Sequence, residues 1–343
     1  MISIILTAHN PKKEYIDECV NSILAQTNQD FEILIMDDAS EKKCASYLDE
    51  ISEKDERIFV YHQKENMGVS VNRNEGIEKS KGDYVTFIDD DDYLKPEYIS
   101  KMLSAAVTNS ADVVICNFTQ RKGNEFTANT FNTTKTLYTT PEEMEKIAAT
   151  AIDPKTQDTG MTIMMLSSAW GKVYRRQFLI DNDTVRYPKG MMGGEDAVFF
   201  IKALQVSDTP RVKLVADELY VYRKTESSYT VGFQPKLPEQ NLERLRQFYS
   251  LSLGHPLMEK ATKRNACYAI MDMCSLYLAD EKCPVADKRG FLKETLEKPE
   301  YKRALESLNQ LDYGLSKKMI YSFAKHKILW PVLLAGKIYR TKR

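Results

Sequence analysis

The sequence predicts an α/β fold: a doubly wound parallel sheet followed by a helical C-terminal region. Three observations predict it. Strand and helix signals alternate through the first third of the chain, the pattern of strands joined by crossover helices. Each conspicuous polar cluster lies directly after a strand, so these clusters should gather along one edge of the sheet. Beyond about Pro238 the sequence reads as helix, with few strand signals.

The first strand is Ile2-Ser3-Ile4-Ile5-Leu6, ending at Thr7-Ala8-His9-Asn10-Pro11. A helix follows, because Ile16, Val20, Ile23 and Leu24 fall at the spacing of one helical face. Phe31 to Met36 is the second strand and stops at Asp37-Asp38-Ala39-Ser40; a further helical stretch leads to a third strand, Ile58 to Tyr61. Gly68 to Lys79 is polar and helical in pattern. Asp83 to Ile88 is a short buried strand running into Asp89-Asp90-Asp91-Asp92, and Ala111 to Phe118 continues the sheet. Gly123 to Lys135, rich in Thr and Asn, reads as a flexible loop. Leu166 to Ile180 and Val212 to Tyr222 read as further core elements. Leu257, Ala261, Tyr268, Met271, Cys274 and Leu278 make a helical stripe, and Phe291 to Leu311 one or two shorter helices. No internal repeat or low-complexity tract is present.

With 343 residues, 43% hydrophobic and 28% charged, the chain has the composition of an ordinary globular protein of two domains, or of one with an appendage. A net charge of −1 advertises no nucleic-acid partner. The six cysteines are scattered, without C-x-x-C pairs or zinc spacing, which suits a reducing cytoplasm. Strand residues follow Met1 directly, so no signal peptide is expected. The longest apolar run, Ile328 to Gly336, is interrupted by Pro331 and far short of the ~18 residues of a membrane span.

Four adjacent carboxylates repel one another, and a fold holding them at a strand end needs compensation. A hard divalent cation is one, since Mg²⁺ and Mn²⁺ prefer carboxylate oxygens and bridge to substrate phosphates. A solvated acidic loop, or a helix start with Pro96 at its first position, is the other reading.

Taken together, the Thr-Ala-His-Asn and Asp-Asp-Ala-Ser strand ends, the aspartate run, Asn66-Met67-Gly68-Val69-Ser70-Val71-Asn72-Arg73-Asn74-Glu75-Gly76, Ala169 to Arg176, and Gly194-Glu195-Asp196-Ala197 resemble family 2 glycosyltransferases over about residues 1–230. The Asn66 to Gly76 segment is close to the family's N-x-G-x-x-x-A-R-N-x-G. The resemblance implies a GT-A fold, the Rossmann-like nucleotide-diphospho-sugar transferase architecture with a mixed, mostly parallel sheet. It also implies inversion at the anomeric carbon of a nucleotide-sugar donor, UDP-linked in the first instance. Residues 1–118 would bind the donor, 119–230 would supply the acceptor side and the base, 238–312 would form a helical region and 313–343 a basic amphipathic tail.

The same resemblance implies roles for single residues. Asp38 would contact the donor base, with Thr7, His9 and Asn10 lining the same cleft and Arg73 holding the donor. Within the D-x-D, Asp91 would be the metal ligand, for Mn²⁺ or Mg²⁺, and Asp89 or Asp90 would meet ribose or metal-bound water. The extra aspartate leaves the register open by one residue. Asp196 would be the base that takes the acceptor hydroxyl proton, with Glu195 beside it; a helix N-cap pair is the structural alternative and is compatible with that role. Trp170 and Lys172 would face the acceptor, although an indole there also suits a core. Many relatives carry a histidine metal ligand near the end of the catalytic domain. Here Tyr222 to Ser228 contains none, and Arg223 and Lys224 would offset phosphate charge instead.

From Tyr313 to Arg343 there is no Asp or Glu, while eight residues are Lys or Arg among Trp330, Leu333, Leu334 and other apolar side chains. That composition suits a helix lying on an anionic leaflet, or a helix packed on the protein with its basic residues in water. With the resemblance to family 2 enzymes that extend polysaccharide repeat units, this tail implies a setting at the inner face of a bacterial plasma membrane and a glycan acceptor carried on polyprenyl diphosphate. A nucleotidyltransferase lacks support because no Gly-rich loop follows the first strand, and a dehydrogenase because no G-x-G-x-x-G follows one. A catalytically inactive carbohydrate-binding scaffold on the same fold is the alternative from another functional class.

Overall fold

The structure, a computed structural model, describes residues 1–155, 159–206, 208–225 and 233–341. It divides into two units: Met1–Ala151 with Asp158–Thr225, and Ile152–Gln157 with Glu226–Arg343. Glu226 to Ser228 and the last two basic residues of the tail lie outside the described residues.

The first unit is built on one sheet. Its elements in chain order are β1 (Ile2–Ala8), α1 (Lys13–Leu24), β2 (Phe31–Asp37), α2 (Lys42–Ser52), β3 (Ile58–His62), α3 (Val69–Lys79), β4 (Tyr84–Asp89), β5 (Tyr93–Leu94), α4 (Tyr98–Asn109), β6 (Val113–Lys122), β7 (Glu125–Asn129), β8 (Leu137–Tyr138), α5 (Pro141–Ile152), α6 (Ile163–Leu166), β9 (Lys172–Arg175), α7 (Arg176–Asp181), α8 (Glu195–Leu204) and β10 (Val212–Arg223). The strand order is β3-β2-β1-β4-β9-β6-β10-β5, with β7 paired to β6 and β8 to β10. Pairings among β1 to β4 are parallel, as is β6 with β10. Strand β9 runs antiparallel between β4 and β6, so the sheet is mixed. Near-continuous apolar strands such as Ile33, Leu34, Ile35 and Met36 are buried on both faces, as helix-covered parallel strands require.

Helix α3 carries almost no amphipathic pattern because it is buried nearly all round: Ser70, Asn72, Arg73 and Asn74 lie inside with Val71 and Ile77. Gly76 is the close-approach position, since a Cβ there would lie 2.5 Å from the Ile5 side chain. Asn74 is fixed by two bonds of 2.9 Å to the Tyr187 backbone, donating to its carbonyl and accepting from its N–H.

One expectation is corrected and one element is new. Gly123 to Lys135 contains strand β7, which closes a hairpin on β6 with Gly123 at φ 59° in the turn. Its solvent-facing polar residues concealed the pairing. Helix α5 has no counterpart among the elements expected from sequence.

The second unit contains α9 (Leu237–Leu251), α10 (Pro256–Asp272), a π-helical segment Met273–Leu278, α11 (Lys288–Glu297), α12 (Pro299–Glu306), a short 3₁₀ turn, α13 (Leu315–Lys325) and α14 (Leu329–Thr341). Its core includes Leu245, Ile270, Leu292, Tyr301, Tyr321 and Val332. Arg264 and Asp153 form a buried ion pair at 2.6 Å. The tail helices are only half free: Tyr321, Ala324, Leu329 and Val332 are buried, while Met319, Trp330, Leu334 and Ile338 are exposed.

Candidate active site

Parallel strands β1, β2 and β4 end at one edge, and their carboxyl ends deliver the polar clusters there. They form a cleft of about 290 Å³ lined by Thr7, His9, Asp38, Asn72, Asp89, Asp90 and Asp91. The backbone is held in unusual conformations around it. Asn10 and Ala39, each two residues past the end of β1 and of β2, have φ of 51° and 57°, a region that costs an L-residue such as Ala about 1–2 kcal/mol.

Asp38 joins two sides of the cleft. Its carboxylate accepts from the Met67 N–H at 2.7 Å and the Gly68 N–H at 3.0 Å, which fixes the loop leading into α3. His9 Nδ1 bonds the Asp38 carbonyl at 2.8 Å. Asn10 does not line the cleft; its amide oxygen accepts from the Glu41 N–H at 2.7 Å and ties the two loops together. Asp37 is buried against His62, with 2.6 Å between carboxylate and ring nitrogen.

The aspartate run divides by function. Asp92 is fully buried and accepts from the Tyr220 hydroxyl at 2.6 Å and the Arg223 N–H at 2.7 Å, so it anchors the loop from below. Asp89, Asp90 and Asp91 face the cleft. Burial, with Asp91 and Asp89 beside it, pushes the Asp90 carboxyl up to about 8; burial and Asp89 push Asp91 up to about 6. Arg223 does not serve the cleft as a free cation. Its guanidinium donates to the Asp91 carbonyl and to Glu18, both at 2.6 Å, a bracing role that sequence inspection did not reveal.

Across the cleft stands the start of α8. Gly193 and Gly194, at φ 85° and 93°, turn the chain so that Glu195 and Asp196 occupy the first helical turn. Arg73 binds both sides: Nη1 donates to Asp196 Oδ1 at 2.6 Å and Nη2 to Asp89 Oδ1 at 3.0 Å, with Glu195 at 4.0 Å. Asp196 Oδ2 accepts from the Ala169 N–H at 3.1 Å. Burial pushes the Asp196 carboxyl up to about 7, against the pull of Arg73 and Lys172. Two buried polar atoms here, Arg73 Nε and Glu195 Oε2, have no partner among the described residues.

The expectation that Trp170 and Lys172 face an acceptor is corrected. Trp170 is 6% exposed, stacked on Tyr220 at 4.6 Å and set edge-on to Phe118 at 4.9 Å. Lys172 is fully buried and donates to the carbonyls of Met165 and Ser168 at 2.5 and 2.6 Å. The segment leads into β9, an inner strand, so its side chains enter the sheet's packing layers. What it offers Asp196 is the Ala169 backbone N–H.

The donor set of the cleft fits a hard divalent cation. Carboxylates held close enough to raise one another's proton affinity lack positive charge, and Mg²⁺-type sites take one or two carboxylates and complete their shell with substrate phosphate. Among the described residues no group of three His, Cys, Asp or Glu side chains is placed to hold a metal ion by itself.

The glycosyl transferase family 2 model matches residues 3–182, more than half of the chain. The glycosyltransferase EpsJ of Bacillus subtilis is 28% identical over 241 residues, covering 70% of this chain and 66% of EpsJ. EpsH of the same organism is 25% identical over 346 residues, covering 99% of this chain and 95% of EpsH. Among solved structures, TarS residues 1–349 of S. aureus in complex with UDP-GlcNAc superposes with a TM-score of 0.68 at 20% identity, over 100% of this chain and 92% of that one. That likeness shows the fold to be GT-A. The chain belongs to glycosyl transferase family 2.

Proposed function

We propose that the chain transfers a sugar from a nucleoside-diphosphate donor, UDP-linked, to a hydroxyl of a glycan acceptor, with inversion. The observation that carries this reading is the Arg73 guanidinium clasping Asp89 on the donor side and Asp196 on the other. One cation thereby fixes the position of a prospective base relative to the aspartates that would face the diphosphate. TarS, of the same fold, has been solved with UDP and with UDP-GlcNAc.

In this reading residues 1–118 form the donor half, with Thr7, His9 and Asp38 against the nucleoside and Asp89 to Asp91 near the diphosphate. Asp91, with Asp90, would hold Mn²⁺ or Mg²⁺, which supplies charge neutralisation of the departing diphosphate. Asp196 takes the acceptor hydroxyl proton as that oxygen bonds to the anomeric carbon, and the bond from that carbon to the diphosphate oxygen breaks. Its raised proton affinity suits a base working near neutral pH. The acceptor is proposed to be lipid-linked, of polyprenyl-diphosphate type, and the exposed apolar and basic residues of α13 and α14 support contact with the inner face of the plasma membrane. Among the described residues no helix is long and apolar enough to cross a membrane.

The test is a panel of UDP-, GDP- and dTDP-sugars with Mn²⁺, following nucleotide release by wild type and Asp91→Ala. Release from one donor, lost in the variant and without metal, supports a metal-dependent transferase and names its sugar. Silence across the panel with no metal-dependent UDP binding supports the inactive scaffold instead.

A further inference from the structure

The edge strand β3 ends at His62, and both nitrogens of its ring meet carboxylates. Nδ1 lies 2.6 Å from Asp37 Oδ2 at the end of β2, and Nε2 lies 3.0 Å from Asp49 Oδ1 on α2. A neutral imidazole has one N–H and one bare nitrogen, so it donates to only one of them; the imidazolium donates to both. Partial burial alone would lower the ring's proton affinity, but the bonds to Asp49 and Asp37 outweigh it and raise it above the ordinary 6.5. These two carboxylates are the titratable groups that α2 and β2 set against the ring. Lys79, the cation that α3 sends toward β3, lies instead over the Tyr61 ring at 4.7 Å.

Asp37 is 1% exposed, and His62 is its one ion-pair partner among the described residues. Its other oxygen, Oδ1, accepts the Ser40 N–H at 3.1 Å, and its carbonyl accepts the Gln63 N–H at 2.8 Å. The Ser40 hydroxyl in turn accepts the Asn10 N–H at 2.8 Å, which joins this turn to the end of β1. Between Asp37 and Ser40 the chain carries Asp38, which lines the cleft, and Ala39 at φ 57°. A residue in that region stays there only where its surroundings over-determine it. The Asp37 carboxylate closes the turn, and His62 supplies the charge that balances it.

Resting on the donor reading above, we propose that His62, as an imidazolium bridging Asp37 and Asp49, is a positioning residue for the nucleoside diphosphate, holding the turn that presents Asp38 to the ligand. His62 is not among the residues lining the cleft, so it acts through Asp37. Taking its proton away leaves a buried carboxylate without a balancing charge, which is costly. Protonation and binding are then linked, and the linkage is reciprocal. The nucleotide binds most tightly below the His62 midpoint and more weakly as pH rises through it; bound nucleotide raises that midpoint by the same factor.

The test is an NMR titration of the His62 ring in the full chain, assigned among the four histidines with His62→Gln. It is run with Mg²⁺ alone, with Mg²⁺ and UDP, GDP or dTDP, and with Mg²⁺ and pyrophosphate. The midpoint is expected above 6.5. One nucleotide should raise it by about 0.7 of a pH unit or more, matching a roughly fivefold or greater weakening of that nucleotide, by calorimetry, across the titration. Asp49→Asn keeps an acceptor for Nε2–H on an exposed side chain and removes only its charge. It should lower the midpoint by roughly 0.2–0.7 of a pH unit and carry the affinity profile down with it. A midpoint at or below 6.5, one that bound nucleotide leaves unmoved, an equal rise with pyrophosphate, or an affinity profile that Asp49→Asn leaves in place overturns the role of His62. With nucleotide still bound, each of these leaves the donor reading standing. Binding of none of the three nucleotides at any pH removes the donor reading and this role with it.

Discussion

Arg73 and Asp196, 123 positions apart in the chain, meet at 2.6 Å, and the same guanidinium reaches Asp89 at 3.0 Å with its other terminal nitrogen. Burial alone would lower the proton affinity of Arg73, but Asp196 and Asp89 raise it, so the cation is permanent. Removing one partner of a buried ion pair strands the other charge. Arg73→Ala should therefore cost about 3–5 kcal/mol in urea unfolding and abolish donor turnover. Arg73→Lys should fold better yet remain inactive, because one ammonium cannot span two carboxylates as the planar fork does. Adding Asp196→Ala to Arg73→Ala should cost less than the sum of the two. Strict additivity would show that the pair does not organise the site.

The aspartate run separates into a buried anchor, Asp92, and the cleft-lining Asp89, Asp90 and Asp91. Asp92 accepts from Tyr220 and Arg223 in a fully buried position. Asp92→Asn turns an amide N–H toward a donor and should lower stability by about 1–3 kcal/mol. Asp91→Asn relieves repulsion with Asp89 and should melt at or above wild type while losing metal-dependent UDP binding. Melting curves with and without Mn²⁺ and UDP distinguish the two. The reverse assignment of effects would move the metal ligand by one residue.

The parallel half of the sheet was legible because its strands are short apolar runs followed by polar turns, and the cleft follows from that pattern: Thr7, Asp38 and Asp89 end neighbouring strands. Less legible was the inner sheet, where β9 enters antiparallel from a segment whose only notice was Trp170 and Lys172. Both were read as facing a substrate, since a tryptophan and a lysine are ambiguous until their burial is known. The bracing of Asp91 by Arg223 and Glu18 joins residues 205 positions apart, and no local spacing announces it. Helix α3 was recognisable as helix, but its polar residues gave no sign of being interior, because the partners of Arg73 and Asn74 lie on elements distant in sequence.

If Asp196 is the base, its titration should appear in the rate. The ionised form accepts the proton, and burial raises its proton affinity to about 7. kcat/KM should climb about tenfold per pH unit below that value and level off above it. Asp196→Asn should remove both the activity and the limb. A profile flat from ~5 to ~9 in wild type would exclude this carboxyl as the base.

The exposed stripe Trp330, Leu334 and Ile338 on α14 lies at i, i+4, i+8, and Met319 on α13 is also exposed. Deleting both helices would be a poor test of membrane contact, since Tyr321, Ala324, Leu329 and Val332 belong to the core. The triple variant Trp330→Ser, Leu334→Ser, Ile338→Ser changes only the outer face. It should lose sedimentation with phosphatidylglycerol vesicles while keeping its melting temperature, and wild-type binding should weaken with salt. Equal sedimentation of both proteins would leave these helices without a membrane role.

Lys172 offers a reading of the interior that needs no substrate. Burial lowers its proton affinity from 10.5 to about 7, with Asp196 pulling weakly the other way. Between those values the unfolded chain holds a proton that the folded chain lacks, so stability rises with pH across that window. Below about 7 both states are charged and the burial penalty is fully present; above 10.5 both are neutral and it has gone. Lys172→Met removes the titrating group and leaves the Met165 and Ser168 carbonyls without their donor, a cost independent of pH. The wild-type-minus-variant difference in unfolding free energy should therefore rise with pH, at up to about 1.4 kcal/mol per pH unit, and not merely sit at a constant offset. A constant offset would mean that the ammonium stays charged in the fold, held by Met165, Ser168 and Asp196 strongly enough to cancel its burial.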